Sequence, residues 1–534
     1  MLILVPILLL LLFAAIIQFV GGYRHLSIGS TWLITAGSVI LVWITLIVFR
    51  AILPEGLSIN DWNPLGISSD QLVYKLSENT WIFAFLLVSL LVATILTDTV
   101  RFGQGNNLTT WTGSMLLTTV GLFSIYSHTL LAVIISWAVI DIVEIGILIS
   151  VIKNQRIHSV AVVEFGLRFM GTMLVIAALI LSKSQNGIEG TTQFSHAVYL
   201  LLILGATLRL GVLPLHVPLT ANLPIRRSLG TILRFVTPIS VLSFLSQVQP
   251  QLQYANVILF FNPVALITAL YGAVKWTTAG NELTGRPYWM LAFSGLVLAS
   301  YVQGHIETIV ALSIIMVLGG GYIFLRSSTS RFSTILGIVC LLEMVGLPFT
   351  PTSPVWSHLP ASGTAFANFV YSITLFILFI GFLRHVLRSK KEDTSKEMWM
   401  QLFYSVGLIL LVLIPWITII WRFSVIRSQV NLLGPIISII ACGLSYLIVR
   451  TRVPRLILES PAYKKVMTPA AVVGKILVDF FTFEWFYLLF RRIYTLLTLP
   501  IKFFVKILEG DGGLLWSLLF LALIASVLVG EITF

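Results

Sequence analysis

The chain has 534 residues, of which 57% are hydrophobic and only 10% charged. That balance excludes a water-soluble globular protein. The formal net charge of +12 is spread over separate loops, so it does not describe a nucleic-acid-binding face, and no nucleic acid partner is expected. Apolar runs long enough to cross ~30 Å of hydrocarbon recur from end to end, and about sixteen can be counted. The expected fold class is therefore an all-α polytopic membrane protein with the lipid bilayer as its surroundings. The first run, Leu2 to Val20, has no basic n-region and no small-residue cleavage site, and reads as a retained helix. Cys340 and Cys442 are the only cysteines, and no C-x-x-C, zinc spacing, G-x-G-x-x-G or P-loop occurs. No metal, no cofactor and no redox centre is expected in this chain.

Basic residues fall on alternate loops: Lys153 and Arg156, Arg226 and Arg227, Arg326 and Arg331, then Arg384, Arg388, Lys390 and Lys391. Arg450, Arg452, Arg455, Lys464, Lys465 and Lys475 continue the series, while the opposite loops carry Glu55, Asp61 and Asp70. The positive-inside rule makes the basic side cytoplasmic and puts both termini outside. Arg422 and Arg427 are the exception, in a loop that this scheme places outside.

Residues 1–78 hold two charge-free helices and a polar external loop, Pro54 to Asn79. A core is expected over 79–388, two further helices over 389–450, and a C-terminal segment over 451–534. The fifth helix, near Leu131–Ile152, places Asp141 and Glu144 at i and i+3 on one face. Carboxylates in an apolar span are costly unless paired or wetted. The sixth, about Ser159–Ser182, carries Glu164 and Arg168 at i and i+4, the spacing of an intrahelical ion pair that snorkels from a helix end. The seventh is interrupted by Pro214 and Pro218, with Arg209 and His216 inside it. Broken helix survives in hydrocarbon only where protein or water re-satisfies the freed backbone. The eighth, Ser228 to Gln247, contains Arg234 and is broken by Pro238. Lys275 ends the ninth. A tenth is read over Tyr288–Val302. The twelfth starts near Phe332 and runs through Glu343 to a second interruption at Gly346, Pro348, Pro351 and Pro354, followed by His358. The two interruptions are five helices apart. An odd offset reverses orientation, as in an inverted repeat, and paired Pro/Gly breaks point to a transport site. Basic residues alternate with aromatics from Arg452 to Glu509, which suits a lateral or interfacial helix against a partner or the bilayer surface. A last span follows at Leu514–Val529.

Gly205, Arg209 and Pro214-Leu215-His216 resemble the seventh-helix signature G-x-x-x-K-x-x-x-x-P-L-H-x-W-L-P of the antiporter-like, proton-conducting membrane subunits. These occur in respiratory complex I, in multi-subunit sodium/proton antiporters and in membrane-bound hydrogenases. Arg209 stands at the lysine, Val217-Pro218 replaces x-W, and Thr220 replaces the last proline. Met290-Leu291-Ala292-Phe293-Ser294 is similar to the tail of the family's D-L-K-R-x-L-A-Y-S motif, with Tyr288 and Trp289 at its two basic positions. Gly346-Leu347-Pro348 resembles G-L-P-P-x-S-G-F-x-x-K, with His358 at the charged end position. The family's fifth-helix glutamate follows an aromatic residue, but here Ala138 follows Trp137, so Asp141 or Glu144 would pair with Arg209.

The resemblance implies a proton-translocating subunit of a NADH-quinone-oxidoreductase-like or related ion-coupled complex, in a bacterial plasma membrane or a thylakoid-type membrane. Other membrane and peripheral subunits would be its partners. It implies a central hydrated row of Glu144 or Asp141, Arg209, His216, Arg234, Lys275, Glu343 and His358. Arginine is a poor proton carrier, so Arg209 would act as fixed charge while a histidine titrates. Two alternatives stay open: the membrane subunit of a bicarbonate-accumulating complex, and a non-conducting scaffold.

Overall fold

A computed structural model describes residues 2–23, 27–59, 72–102, 107–152, 155–184, 194–212, 225–327, 330–356, 365–388, 397–428, 432–450 and 511–530, with parts of 488–502. Helix dominates these residues, because only helices and closed barrels satisfy their own backbone in hydrocarbon. Among the described residues, eleven helices are long and apolar enough to cross a membrane, and His196–Leu210 and Gly513–Ser526 are shorter apolar helices.

The helices that position the site follow one another closely: α1 (Val5–Tyr23), α2 (Ile28–Phe49), α3 (Glu78–Thr97), α4 (Asn107–Ile125), α5 (Leu130–Val151), α6 (Gln155–Ser184), α7 (His196–Leu210) and α8 (Arg227–Gln247). Then come α9 (Ala255–Thr278), α10 (Glu282–Val302), α11 (Ile306–Ile314), α12 (Gly320–Leu325), α13 (Arg331–Met344), α14 (Ala365–Leu387), α15 (Met398–Ser428) and α16 (Leu433–Arg450). A π-helical stretch, Ile315–Gly319, joins α11 to α12. The spans containing α3, α8 and α11–α12 are buried on every face. α1, α2 and α9 leave large apolar side chains such as Phe19, Leu33 and Leu259 exposed, as suits helices that face lipid.

A helix ends ahead of each expected interruption. α7 stops at Leu210 and α13 at Met344, and each is followed by a left-handed glycine, Gly211 with φ 72° and Gly346 with φ 76°. A side chain at either position would be strained, so glycine is the residue that ends a helix this way. Pro214, Pro218, His216 and His358 lie outside the described residues.

Three expectations change. The Pro54–Asn79 connection is not simply a loop. Glu55–Ile59 and Leu72–Leu76 pair as antiparallel strands, and the second alternates buried and half-buried positions as a strand does. Tyr74 on that strand bridges to Ser127, and burial pushes its phenol up to about 12. α10 begins six residues before the expected Tyr288, at Glu282, because Asn281 and Thr284 form a reciprocal capping box there. α8 continues through Pro238, which removes the helical donor to the Arg234 carbonyl without ending the helix.

The basic loops are tied together at one face. Fully buried Asp98 takes Arg226 at 3.2 and 2.8 Å, Trp111 Nε1 at 2.8 Å and Arg101 at 3.9 Å. Arg227 donates to the Phe324 and Arg326 carbonyls and pairs with Glu282 at 3.1 Å. Arg326 donates to the Val386 carbonyl, and Arg384 to that of Thr277. The exceptional Arg422 pairs instead with Glu307, at the start of α11. A half-buried acid on its own face thus accounts for a cation on the otherwise acid-bearing side. Unit Arg455–Phe534 is a separate compact unit, whose helix α17 (Asp511–Gly530) exposes Leu514, Leu518 and Leu521.

α6 and α7 touch through glycine. A Cβ on Gly171 would lie 2.8 Å from the Gly205 carbonyl, and one on Gly205 would lie 2.8 Å from the Gly171 carbonyl, the close approach that small residues permit between membrane helices. Gly171→Val is expected to cost about 1–3 kcal/mol by overpacking, read as a lower melting temperature in detergent. Gly166→Ala, which faces open space, should leave it unchanged. Cysteines placed beside Arg226 and beside Glu307 should react with an impermeant thiol reagent from opposite faces of the membrane. Reaction of both from one face would refute the loop assignment.

Candidate functional site: a buried charge cluster

Four consecutive helices bring six ionisable side chains into the protein interior: Asp141 and Glu144 from α5, Glu164 and Arg168 from α6, Arg209 from α7 and Arg234 from α8. All are at most 8% exposed. Three carboxylates meet three guanidiniums, so the cluster balances its charge. Balance matters because an uncompensated charge in a low-dielectric interior is very costly.

Arg209 is the best-held member. Its Nη1 and Nη2 grip Asp141 Oδ2 and Oδ1 at 2.7 and 2.9 Å, the fork-on-fork geometry that only arginine supplies. Nη1 also donates to Thr172 Oγ1 at 2.8 Å and to the Arg168 carbonyl at 3.2 Å. The guanidinium lies over the Trp137 ring, 4.6 Å from its centroid, a favourable cation–π contact. The glycine contact between α6 and α7 is part of this arrangement, since a Cβ on Gly171 would also lie 2.8 Å from Arg209 Cγ.

Arg168 stands between two carboxylates. Nη1 pairs with Glu144, and Nε lies 3.8 Å from Asp141 Oδ1. Thr237 of α8 completes the ring, accepting from Arg168 Nη1 at 3.2 Å and donating to Glu144 Oε1 at 3.1 Å. The expected snorkelling pair of Glu164 with Arg168 is not formed. Both side chains are buried, and Arg168 turns to the carboxylates of α5. The i, i+4 spacing fits a pair on an isolated helix, but a neighbouring helix that offers two carboxylates changes the outcome.

Glu164 is the exception within the cluster. Neither of its carboxylate oxygens has a hydrogen-bond partner among the described residues, and its principal electrostatic neighbour is Arg234. Both line a cavity of about 30 Å³ together with Glu144, Arg168, Arg209 and Thr237. Charged groups border it, its lining is otherwise mostly apolar, and it is roomy enough to hold a water.

The remaining candidates lie apart. Lys275, half-buried, sits at the end of α9 with its ammonium 5.9 Å from the Tyr271 ring centroid, and makes no ion pair among the described residues. Glu343 is buried three residues before Gly346. It accepts from Trp416 Nε1 of α15, and its carbonyl takes Thr352 Oγ1. Gly346 and Pro348 belong to the second interruption. Glu164, Arg168 and Thr237 belong to the cluster although reading the sequence did not single them out as a site. The available signal was the charge at 164 and 168 inside a run that continues apolar to Ser182. His385 of α14, likewise buried, contacts the Trp276 carbonyl at 3.2 Å.

No protein-family model matches the chain, and a search of curated proteins finds no match. Solved structures do match. A chain of the Mrp complex from Dietzia sp. DQ12-45-1b aligns with a TM-score of 0.64 at 13% identity, over 95% of this chain and 63% of that one. A chain of respiratory complex I from Thermus thermophilus gives 0.59 at 11% identity, over 77% and 96%. A chain of the membrane-bound sulfane sulfur reductase, an archaeal respiratory membrane complex, gives 0.64 at 14% identity and covers 99% of both. The chain shares its fold with these chains of membrane complexes. This chain spans less than two thirds of the Mrp-complex chain, and at these identities the likeness is one of fold.

Within that fold, the Arg209–Asp141 clamp has a direct stability consequence. Asp141→Asn should destabilise the protein by about 3–5 kcal/mol, because it strands a buried guanidinium. Pairing Asp141→Leu with Arg209→Met should recover most of that loss. Equal melting temperatures for the wild type and the Asp141→Asn variant would refute the clamp.

Proposed function

We propose that this chain is a membrane subunit of a multi-subunit, ion-coupled complex of the NADH-quinone-oxidoreductase-like or Mrp-like kind, and that it moves protons through the α5–α8 cluster. The observation that carries the proposal is Arg168 held between Glu144 and Asp141 beside a water-sized cavity. Arginine keeps its proton throughout, so the carboxylates are the groups able to exchange one. A proton taken by Glu144 cancels the charge that holds Arg168 and leaves Asp141, 3.8 Å away, as the attractive partner. Departure of the proton restores the first pairing. Arg209 holds Asp141 in place while this happens. Buried charges that pair with one another are a recurrent feature of proton relays in membranes. Redox chemistry would belong to partner subunits, and the similarity to chains of three multi-subunit complexes supports the expectation of such partners.

The test is proton uptake in vesicles that hold the assembled complex, with its amount checked separately. Glu144→Gln should slow uptake at least ~10-fold, a barrier increase of about 1.4 kcal/mol. Asp141→Asn should do so as well, while Arg209→Lys, which keeps the cation, should do less. Normal uptake in Glu144→Gln and Asp141→Asn would leave a non-conducting scaffold as the function.

A further inference from the structure

The geometry points to an aqueous inlet between α8 and α10 that leads from the basic face to Glu164, and to Glu164 as the carboxylate that receives the proton there. This rests on the proton-conducting reading and adds where the proton enters and which group first binds it.

Two polar stripes face each other across these helices. On α8, Arg227, Gly230, Arg234 and Thr237 recur at helical spacing, and on α10, Glu282, Arg286 and Met290 do the same. At the basic face Arg227 pairs with Glu282 at 3.1 Å. One turn deeper, the absence of a side chain at Gly230 makes room for Arg286, whose Nη1 would lie 3.0 Å from a Cβ placed there. Arg286 is 5% exposed, its Nε has no hydrogen-bond partner among the described residues, and it lies over Phe324 at 5.3 Å. Deeper again, Arg234 and Met290 line the cavity that holds Glu164. These groups step inward from the face towards a buried carboxylate that accepts no hydrogen bond among the described residues.

The charged groups around Glu164 are Asp141 and Glu144 from α5, Arg168 from its own helix, Arg209 from α7 and Arg234 from α8, with Arg286 of α10 further towards the face. These surroundings favour a proton over a metal cation. A hard cation wants a shell of oxygens. Here Glu144 and Thr237 are engaged with each other and with Arg168, and three guanidiniums line the same cavity. A proton needs one carboxylate oxygen only.

The experiment measures access, independently of pumping. Glu164→Cys, made with Cys340→Ser and Cys442→Ser in the full chain in native-membrane vesicles, is exposed to small charged methanethiosulfonates from either face. Modification is expected from the face that carries Arg226, slowed at least ~10-fold by Gly230→Leu and less by Gly230→Ala. An anionic reagent should outpace a cationic one, and Arg286→Gln should erase that preference. This second measurement stands even if Gly230→Leu fails to fold. No modification, modification from the opposite face, or reagent rates indifferent to both Gly230→Ala and Arg286→Gln would overturn the inlet. Absent modification with uptake still lost in Glu144→Gln would remove the inlet and keep the proton-conducting reading. Modification as expected with normal uptake in Glu144→Gln and Asp141→Asn would do the reverse.

Discussion

A guanidinium that is 1% exposed inside a membrane protein has to be answered by a carboxylate, and Arg209 is answered by Asp141 in a two-pronged hydrogen-bonded pair. Much of the first half of the molecule follows from that requirement. The carboxylate sets how α5 lies against α7. α6 must come close enough for Thr172 and the Arg168 carbonyl to take the remaining N–H groups, which the facing glycines of α6 and α7 permit. Once Arg168 is drawn in, Glu144 and Thr237 are needed to satisfy it, and α8 joins the group. Polar groups buried in this way are tolerable only as a connected network, since a half-satisfied one costs more than an apolar core.

The network also divides the labour. Asp141 is held on two sides and has little freedom, whereas Arg168 has two carboxylates within reach and Glu164 has a cavity beside it. Strong fixed pairing and an adjustable neighbour are the ingredients of a two-state element, which any coupling between distant sites requires. The second interruption offers a sparser counterpart, with one buried carboxylate, Glu343, held by an indole N–H from α15.

Reading the residues alone went far with the fold, because hydrocarbon leaves few choices: long apolar runs become helices, and the Pro- and Gly-rich stretches after Leu210 and Met344 end them. It went less far where the decisive partner is remote in sequence. Asp141 and Glu144 share a helix face, and only the placement of α7 decides which of them meets Arg209, 68 residues away from Asp141. Glu164 and Arg168 carry the spacing of a local pair, yet α5 outbids that pairing. Arg422 breaks the loop-charge pattern until Glu307, 115 residues distant, is seen beside it. The extra turns of α10 escaped notice because Glu282, Arg286 and Pro287 look like loop residues, although the Asn281–Thr284 capping box was there to be read. The Leu72–Leu76 strand was hidden by the assumption that a polar connector has no structure.

The knot around Asp98 bears on what kind of machine this is. Arg226, Arg101 and Trp111 all converge on one carboxylate with no exposure to solvent, and the neighbouring arginines cap the ends of helices from α8 to α14. Separating any of those ends would uncover a buried charge, so the rim acts as a stator. A transporter that rocks one half against the other needs a face that can open, and this face is riveted shut. On the proposed function, protons would pass by side chains changing partners and water rearranging within a static frame, closer to a wire with a few movable contacts than to a hinge.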